Sequence, residues 1–282
     1  MEKTEVKYCL QMEEIILRFP HLAEEIFENM NNKGLVRCRE GDRLWQNFID
    51  KRNYQWIRIV NIPTILQHGM TYLHLAVKTG QIDMVEKIMK NSVEIGIDLN
   101  ANDYTSGCTA FHHACKLGKM KITAMFIQKG LSLNIELNSK CRIGRTAFHT
   151  ACRYGQREIA EYLMKNSKII KLELNSKDID EITPFHSACI LNHAHIVEMM
   201  ISNSDIYTFD YSAKAKNKRT GFHTACYLGS KEVVEIIIYN SKSFDFDLTA
   251  QDYNGETGFQ LARKHEYSDI LHTITAERPD IA

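Results

Sequence analysis

Four pairs of histidine and cysteine recur in this sequence at a spacing that is compatible with metal binding. Each pair has the form His-x-x-Cys, which on one turn of a helix could present an imidazole and a thiolate to the same ion. The pairs are His112/Cys115, His149/Cys152, His186/Cys189 and His223/Cys226. However, successive pairs are 37 residues apart, and the preceding copy has Val77 where the others have cysteine. We therefore favour a structural role, in which the histidine hydrogen-bonds within and between repeated segments and the cysteine packs in the core.

The histidine and cysteine pairs belong to a longer segment that repeats along the chain. Thr146-Ala-Phe-His-Thr-Ala-Cys152 has close copies that begin at Thr109, Thr183 and Thr220, and weaker copies that begin at Thr71 and Thr257. The fourth residue of each copy falls at positions 74, 112, 149, 186, 223 and 260, so the spacing is 38 once and then 37. Self-similarity at such a period is typical of a solenoid, in which each unit packs only on its neighbours.

Each repeat carries the signals of two helices and a turn. The threonine at its start can accept a hydrogen bond from an unpaired backbone N–H and so begin a helix. A residue in the left-handed conformation then ends that helix, and the residues at this position are Gly80, Gly118, Gly155, Asn192, Gly229 and Glu266. Because Glu266 replaces glycine in the last unit, we expect that unit to be a looser cap. An apolar second helix follows, and Asp103, Asp178 or Asp252 can then fix a turn through backbone hydrogen bonds.

Composition excludes several other classes of protein. The 282 residues include 35 Lys plus Arg and 35 Asp plus Glu. The chain therefore lacks the excess of positive charge that would favour nucleic acid or an acidic membrane surface as a partner. No apolar run approaches the roughly 20 residues that a transmembrane helix needs, and the N-terminus lacks the apolar stretch of a signal peptide. Four of the eight cysteines recur once per repeat, which fits reduced packing residues. We therefore expect a cytoplasmic or nuclear protein.

The repeats resemble the ankyrin family over residues 69–275. The family motif, Thr-Pro-Leu-His-x-Ala-Ala followed by glycine and an apolar helix, is matched by Thr146–Cys152, Gly155 and the segment 159–164. This resemblance implies an all-α ankyrin-repeat solenoid over residues 63–282, with six units near 69–106, 107–143, 144–180, 181–217, 218–254 and 255–282. The usual ankyrin period is about 33, so we expect the surplus residues after the second helix, such as 165–175, to lengthen an outer loop.

A different segment, residues 1–62, precedes the repeats. Over about residues 15–58 it resembles an F-box, the helical module that docks on the Skp-type adaptor of cullin–RING ubiquitin ligases. The resemblance implies that an apolar surface contacts this adaptor, formed by Pro20, Ile26, Phe27, Leu35, Val36, Cys38 and Trp45. Two residues depart from the family pattern, since Phe19 replaces the usual leucine and Gly41 stands at a usually apolar position.

The same N-terminal segment has a second interpretation as a degenerate capping repeat. Leu35–Asp42 followed by Phe48 and Ile49 is similar to a worn ankyrin unit, and Gly41 fits that interpretation better. Terminal units of solenoids are commonly atypical. The sequence leaves both interpretations open.

The candidate binding surface lies on the turn tips and first helices, which line a concave face in stacked solenoids. Tyrosine and arginine, which often dominate binding energy, are frequent at these positions. The residues assigned to this face are Tyr104, Arg142, Ile143, Arg145, Arg153, Tyr154, Ile179, Ile190, Lys216, Asn217, Arg219, Tyr227 and Tyr253. The tips alternate between basic and acidic, which favours a protein partner over nucleic acid.

These observations predict a protein-binding adaptor rather than an enzyme. We find no glycine-rich phosphate loop, no His-Glu-x-x-His motif and no nucleophile elbow, and the acidic run 178–181 is interpreted as a solvated turn. The F-box resemblance implies a substrate-recognition subunit of an SCF-type ubiquitin ligase, monomeric outside its complexes and without a cofactor. The alternative is a plain ankyrin scaffold or inhibitor with no link to a ligase.

Overall fold

The computed structural model describes residues 70–95 and 98–282. The chain divides into two compact units, residues 1–105 and 106–282. The described part of the chain contains twelve α-helices and no β-strand, which confirms the predicted all-α class. The F-box-like segment and the predicted domain boundary at residues 62 and 63 lie outside the described residues.

The helices follow one another in pairs, one pair for each repeat. The first compact unit contains α1 (Tyr72–Thr79) and α2 (Ile82–Ile95). The second compact unit contains α3 (Ala110–Lys116), α4 (Met120–Gly130), α5 (Ala147–Arg153), α6 (Arg157–Ile170), α7 (Pro184–Ile190), α8 (Ala194–Ser202), α9 (Gly221–Leu228), α10 (Lys231–Asn240), α11 (Gly258–Lys264) and α12 (Ser268–Glu277). A single 3-10 turn, Pro279–Ile281, follows α12.

Each first helix begins at the threonine of its repeat. Thr146 has an extended backbone, with φ −82° and ψ 170°, and its hydroxyl accepts the N–H of His149. In return, the His149 ring accepts the backbone N–H of Thr146, so two unpaired donors are satisfied reciprocally. The same capping box is present at the other five threonines. The predicted N-cap role of threonine is therefore confirmed.

The first helices end in the left-handed conformation, as the sequence predicts. Gly155 has φ +66°, and a Cβ at this position would lie 2.9 Å from the ring of His193 in the following unit, so glycine is required for close approach. Asn192 and Glu266 adopt the same conformation with φ +53° and +58°. The last unit therefore keeps the turn of the others although Glu266 replaces glycine.

The helices of the second compact unit form two layers. One layer is made by α3, α5, α7, α9 and α11, each in contact with the next, and the other by α4, α6, α8, α10 and α12. The apolar core lies between the layers, where Phe111, Phe148 and Phe222 are fully buried. Each unit therefore buries its apolar face against the neighbouring units, as in a solenoid.

The outer connections differ from the expectation that the surplus residues form a longer loop. In the third unit α6 continues to Ile170, so residues 165–170 are helical and only the remainder forms the loop. The loop residues are then joined between units: Asn138 donates to the Lys171 carbonyl (2.7 Å), and Asn175 donates to the Thr208 carbonyl (2.9 Å). The surplus residues thus extend a helix and brace adjacent loops.

Among the residues that the structure describes, none of the helices combines the length and the apolar character that crossing a bilayer requires.

Candidate functional site

The histidine at the fourth position of the repeated motif links one unit to the next at three joints. The Nδ1 atom of His149 accepts the N–H of Thr146 (3.2 Å), and its Nε2 donates to the carbonyl of Ile182 in the following unit (3.0 Å). The same bond between units joins His112 to Arg145 (3.0 Å) and His186 to Arg219 (3.1 Å). Because both ring nitrogens form hydrogen bonds, the ring has no lone pair left for a metal ion. The structural role predicted for the repeated histidines is confirmed for His112, His149 and His186.

The repeated cysteines are packing residues. The side chains of Cys115, Cys152, Cys189 and Cys226 are all fully buried. Burial raises the pKa of each of these four thiols. Since nucleophilic attack and metal binding need the thiolate, these protonated thiols contribute packing volume. This confirms the second half of the structural interpretation.

Burial also determines the charge of the bridging histidines. Removal from water lowers the pKa of His149 and of His186 to about 4, because the buried ring cannot be solvated in its charged form. Both rings are therefore neutral at pH 7, with the proton on Nε2, as the two hydrogen bonds require. The same cause lowers the pKa of His223.

The turns between repeats form a second link, which we call the tip row: residues 141–145, 178–182, 215–219 and 252–256. Each turn donates one backbone hydrogen bond to the preceding one. The bonds run from Ile179 N–H to Ile143 O (3.1 Å), from Lys216 N–H to Asp180 O (2.9 Å) and from Tyr253 N–H to Asn217 O (3.1 Å). Gly144, with φ +79°, allows this approach, because a Cβ there would lie 2.8 Å from the Ile179 nitrogen. The tips are therefore fixed relative to one another.

Two aspartates hold their turns as predicted, but they are not solvated. Asp178 accepts the N–H groups of Asp180 (2.9 Å) and Ile182 (3.0 Å) with one carboxylate oxygen. Its other oxygen accepts Arg145 Nε of the preceding turn at 3.0 Å, and the Asp178 side chain is only 1% exposed. The interpretation of residue 178 as part of a solvated acidic run is therefore wrong, since the N–H groups of its own turn and the Arg145 guanidinium surround the carboxylate.

The same arrangement, an arginine–aspartate pair between adjacent turns that we call a brace, recurs two units later. Asp252 accepts the N–H groups of Asn254 (2.8 Å) and Glu256 (3.2 Å), and it pairs with Arg219 Nε at 3.1 Å. The side chains of Arg145 and Arg219 are 19% and 18% exposed. The structure therefore places these two predicted contact residues in the joints between units, where their guanidinium groups stabilise the turns.

Other predicted contact residues do lie on the surface of the tip row. Arg142 and Lys216 are exposed, and so are Ile143, Ile179 and Tyr253, the last of these by 70%. Lys218 lies over the Tyr253 ring with its Nζ 5.1 Å from the ring centre. The tip row thus combines exposed apolar, aromatic and cationic groups on one fixed edge. Tyr104 is also exposed, in the first compact unit.

The ends of the first helices add aromatic side chains beside the tips. Tyr154 is exposed and carries the Lys116 ammonium 4.7 Å from its ring centre. Tyr227 is partly covered, since the Arg219 guanidinium lies 4.2 Å from its ring centre. Arg153 is half-buried, and burial together with the neighbouring charge of Arg145 lowers its pKa. The charges of Arg153 and Arg145 are therefore close enough to interact, next to Tyr154.

Two sets of surface residues were not assigned from the sequence. Lysines at the 37-residue period bridge the units, with Lys140 Nζ bound to the Lys177 carbonyl (3.2 Å) and Lys177 Nζ to the Lys214 carbonyl (3.5 Å). The period itself was the signal that could have identified them. Large apolar side chains are also exposed near the ends of the second helices, at Leu131, Ile169, Ile206 and Tyr239. Ile169 and Ile206 are one period apart, but Leu131 and Tyr239 fall at other repeat positions, so the sequence gives a weaker signal for this set.

The fold and the tip row define a protein-interaction scaffold built from stacked helical repeats. A family model described as ankyrin repeats, three copies, matches residues 73–178 and 165–252, which together span more than half of the chain. The chain therefore belongs to the ankyrin-repeat family. This family is typically non-enzymatic and binds proteins. No curated protein matches the chain.

The neutral state of the bridging histidines predicts a specific pH dependence of stability. An unfolded histidine has a pKa near 6.5, whereas His149 and His186 have folded values of about 4. Between these values the unfolded chain binds a proton that the folded chain does not, so stability is lost as the pH falls from about 6.5 to 4. We expect each of these two histidines to remove about 1.4 kcal/mol per pH unit from the free energy of unfolding.

Urea denaturation at several pH values between 7 and 4.5 measures this slope, and His149→Gln provides the matched test. Glutamine occupies the equivalent position at Gln260, where its Oε1 accepts the Thr257 N–H at 2.8 Å. The variant should keep the cap and flatten the slope by about 1.4 kcal/mol per pH unit. An unchanged slope in the folded variant would contradict the assignment.

The braces predict that substitutions of chemically similar tip residues have different effects on the free energy of unfolding. We expect Arg145→Ala and Arg219→Ala each to lower the free energy of unfolding by about 2 to 3 kcal/mol, because a nearly buried aspartate then loses its charged partner. Lys216→Ala removes an exposed cation from the same row, and its effect should stay within about 0.5 kcal/mol. Urea denaturation of the three variants at pH 7 compares them; equal effects would show that the braces do not stabilise the fold.

Proposed function

We propose that this protein is a recruiting adaptor whose tip row binds a protein substrate and whose F-box-like segment, about residues 15–58, docks on a Skp-type adaptor. The protein would thereby act as the substrate-recognition subunit of an SCF-type ubiquitin ligase. It would do no chemistry itself, since holding a substrate beside the ligase raises the effective concentration of the substrate. Its interaction surfaces would be the tip row and the N-terminal apolar residues.

The observation that supports substrate binding is the rigidity of the tip row. Backbone hydrogen bonds fix adjacent turns at 2.9 to 3.1 Å, and the aspartate braces hold two of the turns from within. A surface that is already ordered loses little conformational entropy on binding. Exposed Ile143, Ile179 and Tyr253 would supply apolar contact area, and tyrosine is a frequent hot-spot residue.

The charges that remain on the surface support a protein partner. Once Arg145, Asp178 and Arg219 are assigned to the braces, the exposed charges are Arg142, then Asp180 and Glu181, then Lys216 and Lys218. Their signs alternate along the row. A partner would therefore need charges in the complementary order, which favours a folded or extended protein over a polyanion. Arg153 and Tyr154 would extend the contact beside the first basic tip.

The ligase connection rests on the resemblance of the N-terminal segment. Phe19-Pro20, Ile26-Phe27, Cys38 and Trp45 follow the F-box order, and the apolar set would insert into the adaptor. The competing proposal, a plain scaffold or inhibitor, is supported by Gly41 and by the likeness of the segment 35–49 to a worn repeat. The reduced, fully buried cysteines of the repeats support a cytoplasmic or nuclear location for either function.

Substrate binding by the tip row predicts a position-specific loss of capture. Ile179→Ala and Tyr253→Ala together should reduce recovery of the bound protein at least tenfold, because both side chains would be central apolar contacts. The matched control is Ile206→Ala with Tyr239→Ala, which removes side chains that are 62% and 61% exposed near the ends of second helices. Affinity capture with the full chain and quantitative mass spectrometry compares the pairs. A partner that both double variants lose equally, or that both retain, would exclude the tip row as the binding surface.

The ligase connection predicts binding of the purified Skp-type adaptor to the full chain. Ile26→Ala combined with Trp45→Ala should abolish binding by removing two apolar contacts, while the tip-row variant should bind normally. Circular dichroism establishes that the double variant is folded. If the wild-type chain fails to bind the adaptor while its tip row still captures a partner, the plain scaffold is the correct function.

A further inference from the structure

One joint between repeats has two cysteines where two other joints have arginine and aspartate. The braces Arg145–Asp178 and Arg219–Asp252 each connect residues that are 33 positions apart. The positions one 37-residue period before Arg145 and Asp178 are Cys108 and Cys141. Both lie within the compact unit 106–282, and neither is among the four cysteines that recur in the His-x-x-Cys pairs.

The backbone brings these cysteines together as it does the brace residues. Arg142 N–H donates to the Ser106 carbonyl at 2.9 Å, which continues the hydrogen bonding between tips. A Cβ on Gly107 would lie 3.2 Å from the Cβ of Arg142, so the segments that carry the two cysteines are in direct contact. The Cys108 side chain is near enough to lower the pKa of Cys141 across the joint.

The turn around Cys141 has the geometry that holds a carboxylate elsewhere. Asp178 accepts the N–H groups two and four residues further on, and so does Asp252. The backbone N–H groups at the same two offsets, those of Ile143 and Arg145, lower the pKa of Cys141. A turn that favours an anionic oxygen at this position also favours an anionic sulfur.

The environment of Cys141 therefore stabilises its thiolate. The hydrogen bond from Cys108 has the largest effect, and together with the backbone donors and the charge of Arg145 it lowers the pKa of Cys141 to about 6, against the opposing effect of burial. Arg145 also pairs with Asp178, so its charge is shared. Cys152, by contrast, is fully buried and its thiol has a raised pKa.

We propose that Cys108 and Cys141 form a peroxide-reactive dithiol, in which Cys141 is the attacking sulfur and Cys108 the resolving one. The Cys141 thiolate attacks one oxygen of hydrogen peroxide, the O–O bond breaks, hydroxide leaves and Cys141 becomes a sulfenic acid. The Cys108 thiol then attacks this sulfur, the S–O bond breaks, water leaves and a disulfide forms. The two sulfurs together lose two electrons, and the peroxide is reduced to the equivalent of two waters.

The disulfide would replace a hydrogen-bonded joint by a covalent one at the basic end of the tip row. It would tie the turn that carries Cys108 to the turn that carries Arg142 and Ile143, closing a loop of 33 residues. Two thiols supply only half of a tetrahedral zinc site, so oxidation is the chemistry that this pair supports best. It requires neither a ligase nor a protein partner.

Peptide mapping of the full-length protein tests the proposal. The reduced protein is treated with one equivalent of hydrogen peroxide, the remaining thiols are alkylated, and the digest is analysed by mass spectrometry. We expect a peptide pair linked through Cys108 and Cys141 as the main oxidised product, with Cys152 and Cys189 still reduced. A main product that links other cysteines, or a Cys141 that stays reduced, would overturn the proposal.

The two serine variants separate the roles of the sulfurs. In Cys108→Ser, Cys141 should stop at the sulfenic acid and be trapped by dimedone. In Cys141→Ser, Cys108 should give at least tenfold less dimedone adduct, because it lacks the donors that stabilise a thiolate. The reverse pattern would contradict the assignment of Cys141 as the attacking sulfur. If either variant unfolds, the wild-type mapping and the alkylation rates of Cys141 and Cys152 in the native protein decide the question, with a rate ratio near one counting against it.

Discussion

The hydrogen bond from histidine Nε2 to a carbonyl of the next repeat is the interaction on which the stacking depends. One buried ring completes the capping box of its own helix and simultaneously fixes the following turn, as His149 does between Thr146 and Ile182. The ring can do both only when it is neutral with its proton on Nε2. Burial enforces that state by penalising the imidazolium. Local helix initiation and long-range register are therefore set by the same side chain.

A second set of contacts, between adjacent turns, uses different residue pairs at different joints. The turn after a second helix can hold an acceptor, and the preceding turn supplies its partner. At two joints these are aspartate and arginine, whereas at another they are two cysteines. A buried charge pair resists separation because the remaining charge would be left without a partner. A pair of thiols at the same position is less constrained electrostatically but can be oxidised, which makes one joint chemically distinct.

Buried and exposed residues have different roles in the stack, and this difference explains how the stack can also bind a partner. Side chains that face neighbouring units are fixed by the repeat, so they cannot vary without loss of stability. Side chains at the turn tips, such as Ile179 and Tyr253, contribute little to packing and are available for contact with a partner. The backbone hydrogen bonds beneath them keep their spacing constant. An ordered edge of this kind suits the protein-binding role of the ankyrin family.

The sequence by itself determined the all-α class, the repeat period, the threonine caps and the left-handed helix ends, because these features depend on interactions within a few residues. It also identified the structural role of His149 and Cys152 from their repetition. It did not separate Arg142 from Arg145, since both are arginines near one turn. Only the tertiary structure placed Asp178, 33 residues away, against Arg145 and left Arg142 exposed. The pairing of Cys108 with Cys141 has the same origin, because stacking of the repeats, rather than proximity in the chain, brings the backbone segments of these residues into contact.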